Sequence, residues 1–185
     1  MISADQMLGL TRKEKELEYF KLEYDKRYSL PMQLKLDVKL FDKGEPFVWF
    51  TTIQKEKELP DFFEIKRLTR SYFCFSDRFK NLLDLYIDQY ECAVPFFPTD
   101  AKLGRQEVFW QLALEKQDLA SKRNIWGKEE VSLRKQLDTD KYCVQIAEYD
   151  GQFYNELFIV TLPIAEHVLR KYWNGIKFKP VVVKE

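Results

Sequence analysis

The amino-acid sequence predicts an α+β fold: a mostly antiparallel sheet with two main packed helices, over about residues 76–90 and 162–173. Three observations lead there. Apolar and polar residues alternate in several short segments, the period of a half-buried strand. In two places the apolar spacing changes to that of a helix. The strand segments outnumber the helical ones and do not alternate with them, which separates this layout from a doubly wound α/β fold. Residues 1–16 read as a polar lead-in, and 17–185 as one α+β domain.

The elements follow in chain order. Leu17 to Tyr24 is rich in aromatics, with Phe20, Leu22 and Tyr24 on one side of a strand. Leu34 to Leu40 alternates strictly, with Leu34, Leu36, Val38 and Leu40 on one face, and is expected to be a strand. Asp42-Lys-Gly44 supplies a turn before the β-branched and aromatic run Pro46 to Ile53. Tyr72 to Phe75 predicts a buried strand. Ser76 then stands where a helix N-cap belongs, and Asp77 suits the positive end of the helix dipole. Phe79, Leu82, Leu83, Tyr86, Ile87 and Tyr90 form one helical stripe. Pro95 and Pro98 require the next segment to be extended. Val108 to Leu114 reads as a strand, and residues 116–140 are polar with no clear period. Tyr142 to Tyr149, the Asp150-Gly151 turn and Phe153 to Val160 read as a hairpin. Thr161 is a second N-cap candidate, followed by Pro163 in the first turn and the stripe Ile164, Val168, Leu169 and Tyr172. Asn174-Gly175 is expected to end that helix, and Ile176 to Val183 to close the chain as a strand.

Composition narrows the function. The 185 residues carry 30 basic and 30 acidic side chains, and 15 Phe, 10 Tyr and 4 Trp supply ample core. Zero formal charge argues against a dedicated nucleic-acid binder, which gains affinity by releasing counterions from phosphates. No apolar run approaches the ~20 residues that cross a bilayer. The start of the chain lacks the basic-then-apolar order of a secretory signal, so the expected compartment is the cytoplasm. Cys74, Cys92 and Cys143 are far apart among apolar neighbours and read as small buried hydrophobes.

The motifs of common chemistries are missing. Neither a P-loop nor a dinucleotide fingerprint is present, and 6 glycines leave little material for a phosphate cradle. The nucleophile elbow and the zinc-protease and EF-hand spacings are missing too. His167 is alone, so a metal site or a catalytic couple has little to draw on, and a packing role is expected for it. No catalytic residue, metal ligand or cofactor is therefore assigned. Carboxylates do leave a two-carboxylate hydrolase or transferase as an alternative, with Asp37, Asp61, Glu64, Asp77 and Asp150 as candidates. The many aromatics leave a single-strand nucleic-acid binder as a third reading, although basic and acidic residues are interleaved throughout. Trp49, Phe62 and Trp126 are candidate exposed anchors. Arg123, Trp126 and Lys128, in the polar tract, are the residues assigned to partner binding, since Trp and Arg dominate interface hot spots.

Several segments taken in order carry a family resemblance. They are Pro60-Asp-Phe-Phe63, Phe75-Ser-Asp-Arg-Phe-Lys-Asn-Leu-Leu83, Val94-Pro-Phe-Phe-Pro98, Val108-Phe-Trp-Gln-Leu112, Glu156-Leu-Phe-Ile-Val160 and Gly175-Ile-Lys-Phe-Lys-Pro180. This order resembles a family of small α+β immunity proteins from bacterial polymorphic toxin systems, formerly a domain of unknown function. The likeness runs from roughly Leu17 to Val183. The lead-in and residues 116–140 carry no matching motif. The resemblance implies a protein that neutralises a cognate toxin domain by binding it; with the composition and the missing motifs above, the expected protein is non-enzymatic, with no cofactor, no membrane and no nucleic acid. It carries over no catalytic residue.

Overall fold

The computed structural model describes residues 18–27, 32, 37, 39–55, 57–66, 70–117, 120–125, 128–133, 141–149 and 154–183. These form two sheets and three short helices, a mixed α+β architecture in which most strand pairs are antiparallel.

The seven-stranded sheet is built from β1 (Tyr19–Tyr24), β8 (Lys116–Gln117), β9 (Ala120–Ile125), β10 (Lys128–Leu133), β11 (Cys143–Tyr149), β12 (Tyr154–Thr161) and β13 (Ile176–Val183), in the order β8-β11-β12-β1-β13-β10-β9. β9 at one edge comes back against β11, so the sheet rolls on itself. Its concave face encloses Tyr19, Leu133, Val144, Ile146, Leu157, Ile159 and Val181. The six-stranded sheet comprises β2 (Phe47–Phe50), β3 (Phe62–Lys66), β4 (Ser71–Ser76), β5 (Cys92–Asp100), β6 (Arg105–Gln106) and β7 (Phe109–Ala113). Its order is β2-β5-β7-β4-β3, with β6 paired to β5.

Strand β4 explains the stacking of layers. Its unbroken apolar run is buried on both sides, as expected of a central strand covered on two faces. Phe73 and Phe75 point towards the seven-stranded sheet and pack on Phe158 of β12 at 5.5 and 5.1 Å between ring centroids. Tyr72 and Cys74 point the other way, into a cluster with Trp49, Phe63, Phe96 and Phe109. Helix α1 (Lys39–Asp42) closes that second cluster by setting Phe41 against Tyr72 and Phe96. Helices α2 (Asp77–Leu83) and α3 (Leu162–Leu169) plug the core between the sheets with Phe79, Leu82, Leu83, Ile164 and Val168. Each such side chain taken from water stabilises the fold by about 1.5–3 kcal/mol.

Several expectations need correction. Lys39 and Leu40, the end of the alternating run, are helical. The Asp37 carboxylate accepts from the Lys39 amide and its carbonyl from the Leu40 amide, which turns the chain before a strand can continue. Residues 34–36 and 38 of that run lie outside the described residues. The first helix is shorter than 76–90. Beyond Leu83 the Leu85 and Tyr86 amides bond three residues back, so the turns tighten while the apolar spacing persists to Ile87. Ser76 caps it as expected, accepting from the Phe79 amide at 3.3 Å. The second helix spans Leu162–Leu169 and not 162–173, and Asn174-Gly175 serves a separate turn. Thr161 makes no side-chain cap, because its hydroxyl donates to the Tyr142 carbonyl instead. The polar tract 116–140 contains β8, β9 and β10, which sequence periodicity did not reveal. Asp150-Gly151 lies outside the described residues.

Candidate interaction surface

The densest polar constellation is built on Asp61, just before β3. The buried carboxylate accepts from Ser76 Oγ at 2.6 Å, from Arg78 Nε and Nη2 at 2.5 Å each, and from the Asn174 amide at 2.7 Å. Its own amide donates to the Asn174 carbonyl, and the Ser76 amide donates to the Asp61 carbonyl. One acid thus joins the entry to β3, the start of α2 and the turn before β13. Arg78 also lies 5.2 Å from the Trp173 ring centroid, a cation–π contact. In the same turn Gly175 has φ +72°, and a Cβ there would come within 2.6 Å of Pro60 Cβ and 2.9 Å of the Tyr24 ring. Only glycine satisfies both the backbone and the space.

The remaining carboxylate candidates are separately engaged. Asp77 accepts from Trp110 Nε1 at 2.8 Å and from Asn81 Nδ2. Glu64 pairs with Lys66 at 3.4 Å, Asp37 holds the turn into α1, and Asp150 is outside the described residues. A cleft of about 410 Å³ beside Asp61 brings Glu58, Asp77 and Glu107 to one wall. There Glu107 is paired with Arg105, and Glu58 accepts from Asn174 Nδ2. A second buried acid, Glu156, ties the sheets together. It accepts from Lys116 Nζ, Gln145 Nε2 and the Ser71 amide.

Shifted titrations point the same way. Arg27, through a side-chain hydrogen bond first, holds Asp25 below the usual carboxylate range. The Ile53 amide, then those of Leu103 and Lys102, do the same for Asp100. Burial pushes all three thiols up, Cys74 and Cys143 furthest, which keeps them protonated near neutral pH. Cys74 is fully buried, while Cys92 and Cys143 are half-buried. His167 Nδ1 lies 3.0 Å from the Tyr86 hydroxyl. Among the described residues no group of three or more His, Cys, Asp or Glu side chains could hold a metal ion.

What remains is a surface. On the inner face of the six-stranded sheet, cross-strand register aligns Phe62, Phe75, Trp110 and Pro95 in one row. Val48 lies beside Phe97, and Phe50 beside Thr99. Burial falls steadily across this face. Phe62 and Phe75 are fully buried, Trp110, Pro95 and Phe97 half-buried, Val48 is 46% exposed and Phe50 72% exposed. The seven-stranded sheet and α2 cover the β3–β4 side and stop at β7. Trp110 marks the boundary, held by Asp77 and capped by Lys80 Nζ at 4.8 Å from its ring. Beyond it, β5 and β2 present an open apolar strip.

Two expected anchors are corrected: Trp49 and Phe62 are core residues, at 4% and 0% exposure, because both point into packed clusters. Of the residues assigned to partner binding, Arg123 lies on β9 opposite Glu130, and Lys128 lies on β10 opposite Ile125. They share the edge hairpin of the rolled sheet, and Trp126 falls outside the described residues. The sequence had no signal for Phe50 as a surface residue, since a strand's period shows which residues share a face and not what covers it. No helix among the described residues is long and apolar enough to cross a membrane. No family model, curated protein or solved structure matches this chain.

Proposed function

We propose that this chain is a non-enzymatic immunity protein that binds a cognate bacterial toxin domain and neutralises it by occlusion in the cytoplasm. The observation that carries this reading is the open strip of Val48, Phe50, Pro95 and Phe97, an apolar surface on the six-stranded sheet next to a solvent-facing edge of the core. Exposed contiguous apolar surface on a soluble domain marks interaction sites. The order of the six sequence segments is the second support. Asp61, Ser76, Arg78 and Gly175, which come from three of those segments, meet at one structural node, which gives the order of these segments within this chain a physical basis. The β9–β10 hairpin with Arg123 and Lys128, and Trp126 between them in sequence, is a second contact in this reading.

A sheet face with Phe50, Phe97 and Trp110 also has the shape of a base-stacking platform. The acids beside it disfavour phosphates: Asp77 accepts from Trp110 Nε1, and Glu91, just before β5, is exposed. Protein is the better occupant.

Co-expression with the product of the neighbouring upstream gene tests the proposal. The pair should restore growth and co-purify, and Phe50→Glu should abolish both while leaving thermal stability intact. A neighbour that is harmless alone and does not bind, or a Phe50→Glu variant that protects like wild type, overturns it.

A further inference from the structure

At the boundary of the open strip, Lys80 Nζ of α2 lies over Trp110 at 4.8 Å and over Tyr90 at 5.6 Å, so one side chain bridges the ring at that boundary and the loop before β5. There a cleft of about 440 Å³ opens between residues 86–91, the stretch from Leu114 to Gln117 after β7, and the start of β11. That volume is within the ~300–1,000 Å³ of ordinary ligand sites. Three tyrosines wall it, Tyr86, Tyr90 and Tyr142, and three carboxylates stand on its lining, Asp88, Glu91 and Glu115.

We propose that this cleft receives a basic side chain, arginine or lysine, of the protein partner that covers the open strip. The inference rests on the partner-binding reading and adds the partner's chemistry to it. Aromatic faces attract cations through their quadrupole, and the attraction grows as water is excluded. The rings are held in advance. The Tyr90 hydroxyl donates to Asp84 at 2.9 Å, the Tyr86 hydroxyl meets His167 at 3.0 Å, and Tyr86 and Tyr142 pack edge to face at 5.6 Å. A site already ordered loses less entropy on binding.

Charge selects the sign of the guest. Acids elsewhere on this molecule are commonly matched: Asp84 with Lys80, Glu156 with Lys116, Asp61 with Arg78 and Asp25 with Arg27. Asp88, Glu91 and Glu115 form no ion pair among the described residues, and Lys80 and Lys116 are committed to Asp84 and Glu156. Lys141 is the one basic residue among those lining the cleft, against three acids. A cation from outside would complement this wall, and an anion would be repelled.

The test uses the full chain and a tetra-arginine peptide as probe, followed by amide NMR shifts at low and high salt. Shifts should be confined to residues 86–91, 114–117 and 141–144, and a tetra-glutamate peptide should cause none. The triple variant Asp88→Asn, Glu91→Gln, Glu115→Gln should weaken binding roughly tenfold, and Tyr142→Ala roughly fivefold, in line with a solvent-exposed cation–π contact. Shifts spread over the acidic surface, or a triple variant that titrates like wild type, overturn the proposal. The neighbouring gene product separates the two readings. If it binds wild type and triple variant equally, the cleft has no part in recognition and the partner-binding reading stands. If it binds neither while the peptide still titrates the cleft, the toxin reading fails and the cation site stands.

Discussion

The two halves of the inner face of the six-stranded sheet are made alike and fare differently. On β3 and β4, Phe62, Phe73 and Phe75 are sealed under the rolled sheet and α2. On β2 and β5, Phe50, Val48 and Phe97 follow the same alternation with nothing described above them. Aromatic content and strand period therefore do not distinguish core from open surface. What distinguishes them is the reach of the covering layer, and α2 stops that layer at Trp110.

The contrast breaks most sharply under truncation. Phe75→Ala should cost about 3–5 kcal/mol, since it leaves a cavity against Phe62, Phe79 and Phe158 that rigid neighbours cannot fill. A denaturant melt reads it directly, and a loss below about 1 kcal/mol would mean that the interface between the sheets is loosely packed. Arg78→Met should cost about 2–3 kcal/mol, because the buried Asp61 carboxylate then loses its charge partner while Arg78 itself is half exposed. Restoring most of that loss with Asp61→Asn in the same chain would sharpen the case that the node is structural.

Acid is the third lever. Asp25 and Asp100 titrate below their unfolded values, so the folded state binds fewer protons and gains stability above the ordinary carboxylate pKa of about 3.9. That contribution is lost as pH falls through the depressed folded values. Urea midpoints should be flat from neutrality to about pH 5 and decline below about pH 4. A decline that sets in above pH 5 would point to a different titrating group.

The smallest effect is the most informative. Phe50→Ser should change stability by no more than about 0.5 kcal/mol, as expected of an exposed position. A loss comparable to that of Phe75→Ala would make the open strip part of the core after all.

Much of the fold was legible where local chemistry decides. Alternation located β11, apolar and aromatic runs located β1, β12 and β13, Ser76 marked the start of α2, and the prolines announced β5. The misses have physical causes. An Asx-type turn at Asp37 overrode the strand pattern at Lys39 and Leu40, and the polar strands β9 and β10 gain their place from pairing across the rolled sheet. Trp49 and Phe62 looked like spare aromatics only because the sequence does not show that their strands face packed clusters. The surface was the least legible part. Phe50 and the tyrosine cleft owe their character to distant covering elements and to ion pairs that were not made, and neither leaves a local pattern.

Hydrogen–deuterium exchange of the chain, alone and with the neighbouring gene product, reads out directly which face is covered. New protection is expected at residues 47–50 and 93–99, together with 86–91, with unchanged exchange in β4 and α3. Protection confined to the rolled sheet, or none at all beside a stable complex, would contradict binding at the open strip.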